Sequence, residues 1–285
     1  MEQLERLRER RASLSELRDL FRAMRGIAAS KMQEAVQALE GVRRYALTVD
    51  QAIAAFDAPL ADNRTPGRNA RSGRRAARIL FCSEHGFVGA MNDNLLDWAR
   101  AHWKPEDTLI IVGRRGGALA LEQGLEPVDV LEMTTHLKGV LKLSRQLAHQ
   151  IDPFDIVSVT FVSNHKGGEQ TIEEHDIYPL PSSATGAEAG TKDHPGSLFD
   201  PLIQLPSDTL SERLSDEFLF AQLARAATEA LASEHAARLR VMESADRNAG
   251  DKLAALVREE QQSRQAAITS ELLDVIAGAT ALSGE

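Results

Sequence analysis

The chain has one cysteine, Cys82, in 285 residues, which excludes an intramolecular disulfide and points to a reducing compartment. Positive charge is in deficit. With 33 Lys+Arg against 42 Asp+Glu the formal net charge is −9, and broad nucleic-acid binding is excluded because it needs a basic footprint to displace counterions from phosphates. No apolar run approaches the ~20 residues that cross a bilayer, so any attachment to a membrane is expected through partner proteins. The first thirty residues alternate charged and apolar positions and lack the apolar core of a signal peptide. A GxxxxGK[ST] loop is also missing, which argues against ATP hydrolysis by this polypeptide. What remains, 43% hydrophobic and 26% charged, is ample for a buried core.

Proline is absent from both ends. All ten prolines lie between Pro59 and Pro206, leaving 1–58 and 207–285 free to form uninterrupted helices from residues that favour them. In the first segment Leu14, Phe21, Ala28, Ala35, Val42, Val49 and Phe56 recur every seven positions, and Leu17, Met24, Ala38, Tyr45 and Ala52 form a second row that Lys31 alone interrupts. A sustained heptad predicts a coiled coil. The second segment carries a looser stripe through Leu210, Leu214, Ala221, Ala224, Leu231, Met242, Ala245, Leu253, Leu256, Ile268, Leu272 and Ile276, and its expected partner is the first. At roughly 1.5 Å per residue the helices would be about 85 and about 110 Å long, so a projecting rod is expected. Ser207 and Asp208, directly after Pro206, signal the start of the second helix.

Between the ends, residues 59–74 read as a linker and 75–206 as an α/β domain with a loop-rich end. Strands are predicted at Ile79 to Cys82, Thr108 to Val112, near Val128, at Ile156 to Val162 and at Thr171 to Ile177. Helices are predicted at Asn92 to Ala101, Ala118 to Gln123 and Leu137 to Ile151. The alternation implies a small, mostly parallel sheet with an antiparallel edge.

Candidate chemistry is sparse. The glycines of Gly86 to Gly89 and Gly113 to Gly117 follow strands, where phosphate turns sit, yet complete no dinucleotide fingerprint, and chain turning is the simpler reading. Glu173, Glu174, His175 and Asp176 offer metal-ligand types, but on a strand they would point to opposite faces. Ser83, Glu84 and His85 are contiguous, which a catalytic triad seldom is. No catalytic, cofactor or metal residue is assigned.

Three tracts carry a resemblance. AMRGIAASKMQEA (Ala23 to Ala35), SEHAARLRVMESADRNAG (Ser233 to Gly250) and RQAAITSELLDVIAGATAL (Arg264 to Leu282) are similar to signatures of the gamma subunit of F-type ATP synthases. The last fits at Ile268, Thr269, Glu271, Asp274, Gly278, Ala279 and Ala281. Where that family has a serine, an aspartate, a basic residue and a Gly-Leu-Cys-Gly-Gly run before asparagine, this chain reads Ser83, Glu84, His85, Gly86, Phe87, Val88, Gly89, Ala90, Met91, Asn92. The departure removes the family's cysteine and suits a divergent branch, such as the sodium-associated bacterial type.

The resemblance implies a long antiparallel coiled coil of the N- and C-terminal helices and a small Rossmann-like α/β domain. It implies a central-stalk rotor that couples ion-driven turning of a membrane c-ring to ATP synthesis or hydrolysis at beta subunits. Expected partners are an alpha and beta ring, the epsilon subunit and the c-ring; the expected place is peripheral, on the cytoplasmic face of the bacterial inner membrane. By position in the motifs, Arg238, Gln265, Thr269, Glu271 and Asp274, with Met24 and Lys31, would meet the surrounding ring. Phe199, Asp200 and Pro201 would lie near epsilon and the c-ring. Arg8, Arg10, Arg11, Arg18, Arg22 and Arg25 would attract an acidic lever loop of beta, or else form a solvated face with helical pairs such as Glu5 with Arg8. The rival reading is a standalone coiled-coil scaffold or sensor with an α/β domain.

Overall fold

The structure, a computed structural model, describes residues 2–55, 75–104, 106–164, 170–179 and 204–282. The expected linker at 59–74, seam position Phe56, and Phe199, Asp200 and Pro201 lie outside them. Helix α1 spans Glu2–Ala55 and helix α5 spans Ser207–Leu282, with β1 (Ala76–Phe81), α2 (Met91–His102), β2 (Thr108–Val112), α3 (Arg114–Glu122), β3 (Asp129–Leu131), α4 (Leu137–Ile151), β4 (Ile156–Asn164) and β5 (Gln170–Tyr178) between them. The chain divides into a helical unit, residues 1–29 with 238–285, and an α/β unit, residues 30–237.

In the α/β unit five strands are ordered β3-β2-β1-β4-β5, all parallel except β5, which runs antiparallel to β4. The pleat divides the core. Ile79 and Phe81 of β1 join Val157, Val159 and Phe161 of β4 on one face, under α4 and α5. Leu80 and Cys82 join Ile111 and Val162 on the other, under α2 and α3. Helix α4 buries Val140, Leu143, Ser144, Leu147 and Ile151, a stripe at helical spacing. In α5 every residue from Ala226 to Ala237 is buried, because this stretch lies in the core rather than on its surface. Small side chains make that possible: alanine holds positions 226, 227, 230, 232, 236 and 237.

Two rows of α1 belong to this core. Ala35, Val42 and Val49 are one, as the heptad predicts; the other is Leu39, Ala46 and Ile53, not Ala38, Tyr45 and Ala52. Tyr45 is 40% exposed. From any first row a second row three or four residues on gives the same 3.5-residue mean, and only the packed partner selects between them. Here the partner includes Phe218 and Ala221 of α5. The two helices run antiparallel in this unit: Arg43 Nε donates to Glu229 at 2.7 Å, and Gln222 donates to Asp50 at 3.3 Å.

In the helical unit α1 and α5 again run antiparallel, with Arg11 on Glu260 at 2.7 Å and Arg18 on Asp246 at 2.8 Å. Leu7, Ala28, Met242 and Ala249 are buried, while Leu17 is 48% exposed and so is not a seam residue. No helix among the described residues is long and apolar enough to cross a membrane.

Candidate functional site

In a doubly wound sheet, ligands bind beyond the carboxyl ends of the strands where the winding reverses. That point lies between β1 and β4 here; beside it, past the carboxyl ends of β1, β2 and β3, the chain's own groups converge. Glu84 is buried, and its Oε2 accepts hydrogen bonds from the backbone N–H of Arg114 at 3.1 Å and of Met133 at 2.8 Å. Arg114 is the first residue of α3, so a side-chain carboxylate occupies the place where a bound anion would meet the helix dipole. The Glu84 N–H donates in turn to Glu234 of α5 at 3.1 Å.

The following turn brings α3 against β1. Gly113 has φ 118°, and a Cβ there would lie 2.6 Å from the Cys82 carbonyl oxygen. On Gly116 a Cβ would collide with the Cys82 side chain, at 2.6 Å from Sγ. These glycines serve close packing rather than a phosphate cradle. Burial, with the Glu234 carboxylate adding to it, pushes the Cys82 thiol up to about 12. Ser83 is fully buried and accepts the Asn92 amide at 2.8 Å, while His85, two residues on, is exposed. On β5 the acidic tract divides between two faces, with Glu173 and His175 3.1 Å apart and Glu174 accepting from Arg78 at 3.2 Å.

The helical unit holds most of the sequence-predicted contact residues. Met24 is half-buried and Arg238 is buried. Gln265, Thr269 and Glu271 are exposed, and the Thr269 hydroxyl donates to the Gln265 carbonyl at 2.9 Å along the helix. Asp274 lies on the same helix, α5. Beside them Ile268, Leu272, Leu273, Val275 and Ile276 are each at least 48% exposed, so this end of α5 shows apolar side chains on several sides. Lys31 belongs to the α/β unit. It is not in a seam, and its Nζ lies 2.5 Å from Nδ1 of His136, the residue before α4, which explains how a lysine interrupts an apolar row.

Five arginines of α1 pair with acids of α5, and Arg22 also makes a helical pair with Asp19 at 3.6 Å. Arg8 and Arg11 both reach Glu260, and Arg18, Arg22 and Arg25 all reach Asp246. Asp246 was invisible as a site because its partners lie 221 to 228 residues away. The available signal was the matched polarity of the two segments: arginines at i, i+4 and i+7 on one, isolated acids on the other. Hydrogen bonding from Arg18 foremost, with the charges of Arg22, Arg18 and Arg25, holds the Asp246 carboxyl below the ordinary carboxylate range against the opposing effect of desolvation.

Comparison with known proteins covers nearly the whole chain. Residues 3–282 match the ATP synthase family. The ATP synthase gamma chain of Granulibacter bethesdensis is 32% identical over 307 aligned residues, spanning 99% of this chain and 100% of that protein. That of Rhizorhabdus wittichii is 28% identical over 303, with the same two spans. A chain of the Euglena gracilis mitochondrial ATP synthase, in the assembly of OSCP, F1 and c-ring in rotational state 3, superposes with a TM-score of 0.69 at 16% identity, covering 98% of this chain and 94% of that one. A match that takes in both terminal helices and the sheet between them is not confined to one module, and the chain belongs to the gamma-subunit family of ATP synthases.

Proposed function

We propose that α1 and α5 form the shaft of a rotary ATP synthase, turning inside a ring of alpha and beta subunits whose beta members carry out the nucleotide chemistry. As a gamma subunit the chain is a non-catalytic, central-stalk component of the F1 sector. The observation that carries the mechanical reading is the antiparallel pairing of α1 with α5 in each unit, with Ile268, Leu272, Leu273, Val275 and Ile276 exposed toward the C-terminal tip of α5. Such a tip can turn within an apolar sleeve, since contacts without direction offer little resistance to rotation. A shaft also has to be asymmetric, because a partner biases three equivalent subunits differently only by touching them differently. A pair of helices of unequal length meets that requirement. The standalone-scaffold reading has no support among relatives that match the full chain as gamma subunits.

Met24, Lys31, Arg238, Gln265, Thr269, Glu271 and Asp274 are the proposed contacts with the ring, by their place in the family motifs. Phe199, Asp200 and Pro201 are proposed to lie toward epsilon and the c-ring. The Euglena assembly, which contains F1 and a c-ring, supports a junction of that kind here. The coupling ion, proton or sodium, is assigned to the membrane subunits, and the complex to the cytoplasmic face of a bacterial inner membrane. The test is ATP-driven rotation of the complex reassembled with alpha and beta subunits. The double substitution Arg238→Ala with Gln265→Ala should slow rotation or lower its torque; unaltered rotation and assembly would remove these residues from the contact set.

A further inference from the structure

In the helical unit small residues are buried on both helices, Ala28 on α1 and Ala249 on α5. Burial of such surfaces holds two helices together, but alanine makes shallow ridges, so it opposes separation more than sliding along the axis. Torque on a two-helix shaft winds or unwinds the pair, and each helix is then driven lengthwise past its neighbour. Something directional must resist that slip.

One carboxylate in this unit is built to do so. Asp246 Oδ1 accepts from Arg18 Nε at 2.8 Å and from Arg22 Nε at 3.2 Å, and Oδ2 accepts from Arg25 Nη1 at 3.3 Å. The three arginines stand at i, i+4 and i+7 on α1, so a single side chain of α5 grips two turns of its partner. Asp246 is itself only 9% exposed. One turn further along α5, Gly250 leaves room for the Arg18 guanidinium: a Cβ there would stand 3.0 Å from Nη2 and 3.2 Å from Cζ. Arg18 is thus seated between a carboxylate and a bare stretch of backbone, and sliding by one residue, about 1.5 Å, would break hydrogen bonds whose strength falls steeply with distance and angle.

We infer that Asp246, with Arg18, Arg22 and Arg25, is a latch against axial slip that makes the two helices turn as one body. Asp246 is a positioning residue for torque transmission, and the inference rests on the shaft reading above. Arg18, Arg22 and Arg25, expected from the sequence to attract a loop of beta or to form a solvated face, here bond to Asp246 of the same chain, so the latch acts within the rotor.

The experiment uses the complex reassembled with alpha and beta subunits, immobilised by its ring, with a probe on the α/β domain of this chain. The width of the probe's angular fluctuations reports torsional stiffness, a property that assembly and ATPase rate do not track. Replacing charge-assisted hydrogen bonds by neutral ones in D246N should lower the latch's share of that stiffness by roughly twofold, with the ATPase rate retained. D246E should restore most of it. Where D246N fails to assemble, the double variant R22Q/R25Q, which leaves the Arg18 bond in place, decides, and softening there supports the latch. Unchanged fluctuations in whichever variant assembles would overturn it. Absence of rotation in the unsubstituted complex would overturn the shaft reading and the latch with it.

Discussion

Gly116, in the first turn of α3, lies so close to the end of β1 that a Cβ added to it would stand 2.6 Å from the sulfur of Cys82. The helix reaches the sheet only because this residue has no side chain. Gly116→Ala must therefore push α3 outward or displace Cys82, overpacking a closed interior at a cost of about 1 to 3 kcal/mol. Chemical denaturation of the full-length chain measures it, and Cys82→Ala in the same chain should recover little of the loss, because the Cys82 Cβ, the atom nearest to the added methyl, remains.

The Cys82 thiol, raised to about 12 by burial and by Glu234, stays protonated at neutral pH and is screened from reagents. Since it is the only cysteine, the readout is unambiguous. Iodoacetamide at pH 8 should leave the native chain unmodified and add one equivalent in denaturant. Labelling of the native chain at the rate of a free thiol would show that the carboxyl end of β1 opens.

Glu229 is buried in α5 and ion-paired to Arg43, whose own side chain is 47% exposed. Removing the arginine strands a carboxylate in the core. Arg43→Ala should cost about 1 to 3 kcal/mol, and the pair Arg43→Ala with Glu229→Ala should cost less than the two single losses combined. A double-mutant cycle by denaturant titration checks it; additive losses would mean that the pair is not coupled.

Acid should loosen the helical unit through Asp246. Its carboxyl is held below the ordinary range, so the folded state binds the proton less readily than the unfolded state. The stabilisation it supplies is complete above the unfolded value, about 3.9, and is lost as pH falls through the lower folded value. Helicity followed by circular dichroism between pH 5 and pH 2 should show an acid transition that is shallower in Asp246→Asn. An identical acid limb in both chains would detach Asp246 from the transition.

Several elements were legible because their cause is local. Thr108–Val112 and Leu137–Ile151 appear where apolar periodicity put them, and the last strand, expected at Thr171 to Ile177, spans Gln170–Tyr178 antiparallel to β4. Helix α3 begins at Arg114, ahead of the expected Ala118, because Gly116 and Gly117, poor helix formers alone, are wanted for close approach to Cys82 and Val130. For the arginines of α1 two readings stand from the sequence, attraction of an acidic loop or a solvated face; pairing of Arg8, Arg11, Arg18, Arg22 and Arg25 with acids of α5 is visible only in the structure. Glu84 could not be recognised as an internal stand-in for an anion, since its partners Arg114 and Met133 follow other strands of the sheet.

By itself the chain determined two proline-free helices, a sheet between them and a family, because backbone sterics and apolar spacing act over a few residues. Tertiary structure alone decided which of two equivalent rows of α1 faces its neighbour, Leu39 and Ala46 rather than Ala38 and Tyr45, and which acids of α5 answer which arginines. Those choices depend on the rotation and axial offset of one helix against another, quantities that no stretch of sequence contains until both helices are packed.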